Sequence, residues 1–341
     1  METKIFQEED IATAAALIRA GKLVAFPTET VYGLGADATN SASVKAVYQA
    51  KGRPSDNPLI IHLADKNDVR QYVDNFSEKA RQLADTFWPG PLTMIFPVKQ
   101  GVLPSVVTGG LSTGAFRVPN NKKTLQLIKL AGVPLVGPSA NTSGKPSPTT
   151  AEHVYHDLHG KISGILDDGK TVVGIESTVL DMSVADEPPT ILRPGAITQE
   201  QLEAVIGEVR TAVQEVSKDV QPKSPGMKYK HYAPDTEVMM IDWQKNNWHE
   251  AVAWARRHGK KAGILAARRI IRSLDIPSSN VYELSDDGSV SQSMANLFAG
   301  LRELDSPDRN LDVIFVQTFP AEGLGVAYMN RLQKSADKKT F

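Results

Sequence analysis

Two stretches of this chain gather side chains that could handle an anion. Lys51-Gly52-Arg53-Pro54-Ser55-Asp56-Asn57-Pro58 crowds two fixed cations and an amide into one short segment. Pro54 and Pro58 bias the residues before them away from the helical region, so the segment reads as an extended turn that splays its side chains. An Arg there offers phosphate oxygens a planar fork, which a Lys cannot reproduce. The second stretch, Pro138-Ser139-Ala140-Asn141-Thr142-Ser143-Gly144, follows the apolar run Val133-Pro134-Leu135-Val136. Its small hydroxyl and amide groups leave room for a ligand to approach the backbone closely. Taken alone, Lys51 and Arg53 are as consistent with a solvated loop as with an anion site.

The elements that must position these loops follow from pattern and punctuation. Ile11, Ala14, Ala15, Leu17 and Ile18 recur at helical spacing over Glu8 to Ala20, and Gly21 is placed to end that helix. Leu23-Val24-Ala25-Phe26 then reads as a buried strand broken by Pro27, which delivers Thr28, Glu29 and Thr30 to a loop. Ser43 to Ala50 has helical composition and Leu59 to Leu63 reads as a strand, so the cationic segment joins a helix end to a strand start. Helices follow over Asp65 to Val73 and Ser77 to Trp88, the second stopped by Trp88-Pro89-Gly90-Pro91, then a strand over Leu92 to Val98. Val107 to Gly114 is glycine-rich and could wrap backbone amides around phosphate oxygens, although its spacing is no Walker motif. Lys122 to Ala131 and Thr150 to Leu158 read as helices, Gly164 to Leu166, Ser177 to Asp181 and Thr190 to Arg193 as strands, and Thr198 to Ile206 as a helix with a Thr cap. His153, His156 and His159 repeat every three residues on one of these helices, but they lack a carboxylate at ligand spacing and read as a wet surface face.

From Gly207 to Asp235 the chain turns polar, and the run Ser224 to Pro234 sets two Tyr, two Lys and a His between prolines, unlike a featureless tether. Beyond it, strands at Thr236 to Asp242, Ala262 to Leu265, Asn280 to Leu284 and Leu311 to Val316 alternate with helices at Trp248 to Arg257, Val290 to Leu304 and Val326 to Ala336. That alternation predicts a small parallel α/β domain, and the missing G-x-G-x-x-G after its first strand argues against a dinucleotide role. The domain division expected is 1–207, a linker at 208–235, and 236–341.

Composition narrows the function classes. The chain has 341 residues, 41% hydrophobic and 23% charged, which suits a globular protein of two domains. A formal net charge of −1 provides no bulk basic field for nonspecific nucleic-acid binding. Cysteine is absent, which excludes disulfides, thiolate metal sites and a cysteine nucleophile. An acidic start without an apolar signal core, and no apolar run of about 18 residues, lead to the expectation of a cytoplasmic protein with no membrane contact.

Four motifs in order, Pro27-Thr28-Glu29-Thr30-Val31-Tyr32-Gly33-Leu34, Lys51-Gly52-Arg53, Ser139-Ala140-Asn141 and Ser224 to Pro234, carry a resemblance. Together they resemble the YrdC-type threonylcarbamoyl-AMP synthase family in its longer, two-domain form. The resemblance spans about Ile11 to Ile206, the linker, and a C-terminal domain ending in Glu322-Gly323-Leu324-Gly325 and Met329-Asn330-Arg331-Leu332. It implies an open, twisted YrdC-like α/β sheet domain with a second, smaller Rossmann-like α/β domain. The implied activity joins L-threonine, bicarbonate or CO2, and ATP into threonylcarbamoyl-AMP and pyrophosphate, for threonylcarbamoyladenosine in tRNA.

By the same resemblance, Lys51 and Arg53 are the catalytic cations, and Asn57, Thr113, Ser139, Asn141, Ser147, Arg193 and Tyr229 complete the ATP site with them. Thr30, His62, Arg117 and Ser177 would hold threonine, with Arg117 the natural partner of its carboxylate. Each has a bland counterpart: His62 as a satisfied core histidine, Arg117 paired with a buried carboxylate, Ser177 as an ordinary strand residue. Neither a covalent nucleophile nor an obvious general base stands out, so catalysis by positioning and charge stabilisation is expected, with Mg2+ arriving on ATP and no protein metal site. Lys228, Tyr229 and His231 would close over the nucleotide as a lid or serve as a strap between domains. Gly137 departs from the family pattern, which usually has a slightly larger small residue there.

The implied partner is the tRNA-modifying transferase complex. An RNA-binding module is the main alternative, to be recognised by steep salt dependence without ATP turnover, but weak RNA binding is the most that the neutral charge and the lack of aromatic platforms allow. A carbamoyl transferase of the hydrogenase-maturation type is disfavoured because such proteins carry cysteine-rich zinc modules.

Overall fold

The computed structural model describes residues 2–212 and 231–341, and the chain divides into two compact units. The first unit is built on one mixed sheet. Its strands are β1 (Lys4–Phe6), β2 (Val24–Phe26), β3 (Gly33–Asp37), β4 (Ile60–His62), β5 (Leu92–Pro97), β6 (Thr113–Arg117), β7 (Leu135–Val136), β8 (Gly164–Leu166), β9 (Thr178–Asp181), β10 (Thr190–Arg193) and β11 (Arg210–Thr211). Among the described residues they form an 11-stranded sheet in the order β1-β8-β2-β3-β7-β4-β6-β5-β9-β10-β11. Its helices are α1 (Ile11–Arg19), α2 (Ser41–Lys51), α3 (Glu78–Phe87), the single turn α4 (Ser105–Thr108), α5 (Lys122–Ala131), α6 (Ala151–Leu158) and α7 (Gln199–Ile206).

Local chemistry sets the helix limits. Asn40, Ser77, Asn121, Thr150 and Thr198 each accept a backbone N–H with the side chain at the N-cap, and Gly52, Gly109 and Gly132 turn left-handed to close α2, α4 and α5. Two cores result, one on each face of the sheet. Val44, Val47, Leu83, Ala84, Val154 and Leu202 from the helices pack with Ile61, Met94, Phe116 and Leu180. On the opposite face, Ala14, Ile18, Leu127 and Ile128 of α1 and α5 cover Val24, Phe26, Leu135 and Leu166. Further along that second face lies a smaller cluster of Ile60, Ile95, Ala115 and Val179.

Among the described residues, the second unit contains 231–341 with two short stretches from earlier in the chain, 144–147 and 172–175. Strands β12 (Glu237–Ile241), β13 (Ala262–Ala266), β14 (Val281–Glu283) and β15 (Val313–Gln317) pair entirely in parallel, in the order β12-β15-β13-β14. Helices α8 (Trp248–Arg257), α9 (Arg268–Ile271), α10 (Val290–Leu304) and α11 (Leu324–Ser335) alternate with them. This is the small parallel α/β domain that the strand-helix alternation predicts.

Several expected elements differ in extent. Lys51 is not in an extended turn; it is the last residue of α2. The prolines act only on the residue immediately before each, and Gly52, at φ 62°, ends the helix instead. Asp65 to Val73 forms a 3-10 helix over Lys66–Gln71 rather than an α-helix. Strands β1, β3, β11 and helix α9 had no clear signature: β1, β11 and α9 are only two to four residues long, and β3 is the glycine-rich Gly33–Asp37.

Candidate functional site

Side chains alternate along a strand, and that alternation gathers most of the expected residues. His62 shares a face with Ile60, Thr113 and Arg117 with Ala115, Thr93 with Ile95, and Ser177 with Val179. Those apolar partners are the small cluster on the second face of the sheet. In the parallel pair β4–β6, His62 is the register partner of Arg117, and β5 joins β9 with Leu92 opposite Thr178. Except for Thr113, which begins β6 at its other end, the polar set therefore stands at neighbouring strand ends on one face, next to the area covered by α1 and α5.

Arg117 is 4% exposed and is held from three sides. Its Nε donates to Gly90 O at 3.2 Å, Nη1 donates to Thr30 Oγ1 at 2.9 Å, and Nη2 lies 2.7 Å from Glu29 Oε2. So the carboxylate partner anticipated as a structural alternative exists: it is Glu29. The other oxygen, Oε1, is buried with no hydrogen-bond partner, and Oε2 also accepts the Asn120 N–H at 3.1 Å. Thr30 is fixed in turn by Thr28, whose hydroxyl lies 2.8 Å from that of Thr30 and donates to Val31 O at 2.7 Å.

His62 packs edge-on to Phe26, with ring centroids 5.2 Å apart. Burial, reinforced by the Arg117 charge and opposed by hydrogen bonds to the backbone of Ile60 and Leu135, pushes its pKa down to about 3. It is neutral at physiological pH, and its Nδ1 is buried without a hydrogen-bond partner. Gly137 explains how the two rings fit: a Cβ there would lie 2.6 Å from Phe26 Cζ and 2.7 Å from His62 Nδ1.

Ser177 and Arg193, expected in different halves of the site, touch. Arg193 donates from Nε to Ser177 O and from Nη2 to Ser177 Oγ, both at 3.1 Å, and Ser177 Oγ lies 2.7 Å from Thr93 Oγ1.

The two loops do converge. Lys51 is 2% exposed, and its ammonium donates to the carbonyls of Ser139 and, at 2.6 Å, Asn141. Ser143 N–H bonds back to Lys51 O at 2.9 Å, while Ser139 pairs with Gly33 and Ala140 N–H donates to Tyr32 O. Thus the Ser139–Asn141 loop joins the Lys51 loop to the Thr28–Gly33 loop. Half-buried Arg53 turns Nη2 toward the carbonyls of Asn57 and Pro58, at 3.4 and 3.2 Å. Asn57 is buried with Oδ1 unpartnered, and its carbonyl also accepts from Tyr48, whose phenol burial pushes up to about 12. Thr113 starts β6, four residues or roughly 13 Å from Arg117. Ser147, 1% exposed, belongs to the second unit and is not among the residues gathered on this sheet face.

Lys228 and Tyr229 lie outside the described residues. His231 and Tyr232 are described: Tyr232, at φ 64°, is buried, with its ring centroid 5.1 Å from that of Phe298 and Arg331 5.6 Å above it. Among the described residues no three His, Asp or Glu side chains cluster as a metal cage. His156 instead faces Asp157 at 2.9 Å and His159 faces Tyr155 O at 2.9 Å. No helix among the described residues is long and apolar enough to cross a membrane.

The sequence expectations did not include Glu29, Thr93 and Asn120, which the structure places against the expected residues or their partners. Glu29 lay within the Pro27-Thr28-Glu29-Thr30 motif, where an acid between two threonines after a strand-ending proline was the available signal. Thr93 and Asn120 had none, since their parts depend on β5–β9 pairing and on a loop meeting Glu29 from 91 positions away.

Comparison with known proteins agrees with this architecture. A model described as "Telomere recombination", for the Sua5, YciO and YrdC group, matches residues 16–195, and one described as "Threonylcarbamoyl-AMP synthase, C-terminal domain" matches residues 197–337. Threonylcarbamoyl-AMP synthase of Pyrococcus abyssi is 45% identical, covering 97% of this chain and 95% of the relative. The Bacillus subtilis protein of that name is also 45% identical, covering 96% and 93%. The crystal structure of P. abyssi Sua5 complexed with L-threonine superposes with a TM-score of 0.91 at 42% identity, covering 100% of this chain and 99% of that one. Two domain matches in series, near-complete coverage by these relatives and a shared two-unit fold have one consequence: the chain belongs to the two-domain Sua5 family, with its YrdC-like first domain.

Proposed function

We propose that the chain is an L-threonylcarbamoyladenylate synthase, a nucleotidyltransferase that converts L-threonine, bicarbonate or CO2, and ATP into threonylcarbamoyl-AMP and pyrophosphate. The observation that carries this reading is the convergence of Lys51 with the Ser139–Asn141 loop beside a buried Thr30–Arg117–His62 set. A cation-rich lobe and a lobe suited to a small amino acid occupy adjoining loops. That is what a reaction between a threonine carbamate and the α-phosphorus of ATP requires.

Threonine is held by Thr30, His62, Arg117 and Ser177, and the nucleotide by Lys51, Arg53, Asn57, Thr113, Ser139, Asn141 and Arg193. Lys51 neutralises charge from a fixed, desolvated position, where a cation acts more strongly than in water. The Arg53 fork suits a phosphate and would exchange its carbonyl partners for ligand oxygens. His62, neutral and donor-capable, offers a hydrogen bond without adding charge. The Ser177–Arg193 contact ties the two lobes together, so that ordering one substrate helps order the other.

Mg2+ fits this arrangement as a passenger on ATP, because that ion is usually held by substrate phosphates and water with few protein carboxylates. When bound, it would supply charge neutralisation on the phosphates. The product feeds threonylcarbamoyladenosine formation in tRNA through a transferase complex.

Pyrophosphate release, measured with ATP, threonine and bicarbonate each omitted in turn, tests the assignment. Dependence on all three is expected. Release without threonine would overturn it.

A further inference from the structure

Glu29 carries a carboxylate that the proposed mechanism does not use. It lies on the loop between β2 and β3 and is 7% exposed. Asn120 N–H and the Arg117 charge fix Oε2, whereas Oε1 is buried with no hydrogen-bond partner. A buried carboxylate oxygen left unpaired is costly, and such groups in native proteins call for an explanation.

The unused valences nearby indicate what could meet it. The Thr28 hydroxyl donates to Val31 O and accepts the backbone N–H groups of Thr30 and Val31, so its proton and both lone pairs are used and the 2.8 Å contact fixes no direction for the Thr30 hydroxyl. Having accepted from Arg117 Nη1, Thr30 Oγ1 retains one further acceptor site. Two acceptors, Glu29 Oε1 and Thr30 Oγ1, therefore flank Arg117. The guanidinium presents the opposite chemistry. Although Nη2 sits 2.7 Å from Glu29 Oε2, it is not aligned for a hydrogen bond, so its charge is balanced while its N–H groups remain available. Donors beside acceptors, minus beside plus, match one class of ligand: a zwitterionic α-amino acid, carboxylate toward Arg117 and ammonium toward Glu29.

We infer that Glu29 is a specificity-determining residue that recognises the ammonium group of the amino-acid substrate. This rests on the threonine-binding reading above. It adds that the site selects for the amine, the atom that becomes the carbamate nitrogen, and not only for the carboxylate and hydroxyl.

The test compares threonine with (R)-3-hydroxybutyrate, the same skeleton without the amine, in the full-length enzyme and in Glu29→Gln. Apparent threonine affinity from pyrophosphate release is expected to fall about 10- to 100-fold in the variant, corresponding to loss of a charge-assisted bond. Inhibition by 3-hydroxybutyrate should change less than about threefold, and the KM for ATP should stay put. Equal weakening of threonine and the analogue would show that Glu29 merely braces Arg117 and would overturn the inference, as would unchanged threonine affinity. Should Glu29→Gln fail to fold, Glu29→Asp, which keeps the charge on a shorter stem, is read the same way: a selective loss for threonine supports the inference and a parallel loss refutes it. Wild-type enzyme lacking threonine-dependent turnover would instead contradict the parent assignment.

Discussion

Lys51 and Arg53 sit two positions apart yet hold their charges differently, and the difference sets what each substitution should do. Lys51 is desolvated and bound by backbone carbonyls, while Arg53 is half-buried and leans on two longer contacts that a ligand can replace. Arg53→Lys keeps the charge but loses the fork, so the KM for ATP should rise about 10-fold or more with threonine affinity unchanged, as read from initial rates. His62 makes a second prediction. With a folded-state pKa near 3 and an unfolded value near 6.5, the unfolded chain binds the extra proton between these limits, so stability falls as pH drops through that window. By pH 5 this group should cost about 2 kcal/mol. Urea unfolding at pH 7.5 and pH 5 should therefore show a smaller acid loss in His62→Gln than in wild type. Residue types were legible where a motif isolates them, as with Lys51, Arg53 and Ser139. The Glu29–Arg117 ion pair was not, because it forms only when Arg117, 88 positions later, arrives beside Glu29.

At the scale of elements, the site depends on where strands end and on how closely loops approach. Gly137 lies where two rings leave no room, so Gly137→Ala should destabilise by about 1–3 kcal/mol and weaken threonine binding by displacing His62, measurable by thermal unfolding and calorimetry. The Phe26–His62 contact thus leaves space for glycine at this position. Gly52 makes the complementary case: space is free around it, but φ 62° is left-handed, so Gly52→Ala should cost about 1 kcal/mol and shift the Lys51 ammonium at the helix end. Helices with a capping residue and a strong apolar stripe, such as α3, α5 and α7, were readable to within a residue or two. Strand β3 was not, since its glycines lack the β-branched signal and exist for packing: a Cβ on Gly35 would lie 2.6 Å from Val24 O.

For the whole molecule, the two-domain order was legible from the break in composition after Gly207, but the path of the chain was not. The second unit takes in 144–147 and 172–175, which no pattern in the sequence marks. Arg302 on α10 donates from Nε and Nη2 to Pro146 O, at 3.0 and 2.6 Å, and Gly174 lies so close to α10 that a Cβ would reach within 2.5 Å of Ala295 Cα. Arg302→Ala should therefore destabilise the protein by about 1–3 kcal/mol, seen as a lowered unfolding midpoint. The central claim, that Lys51 and Arg53 hold the nucleotide beside a threonine lobe made of other residues, is tested most directly by calorimetric titration of Lys51→Ala/Arg53→Ala. Loss of binding to a non-hydrolysable ATP analogue, with threonine binding retained within a few-fold, is the predicted result. Undiminished binding of the analogue would contradict the account.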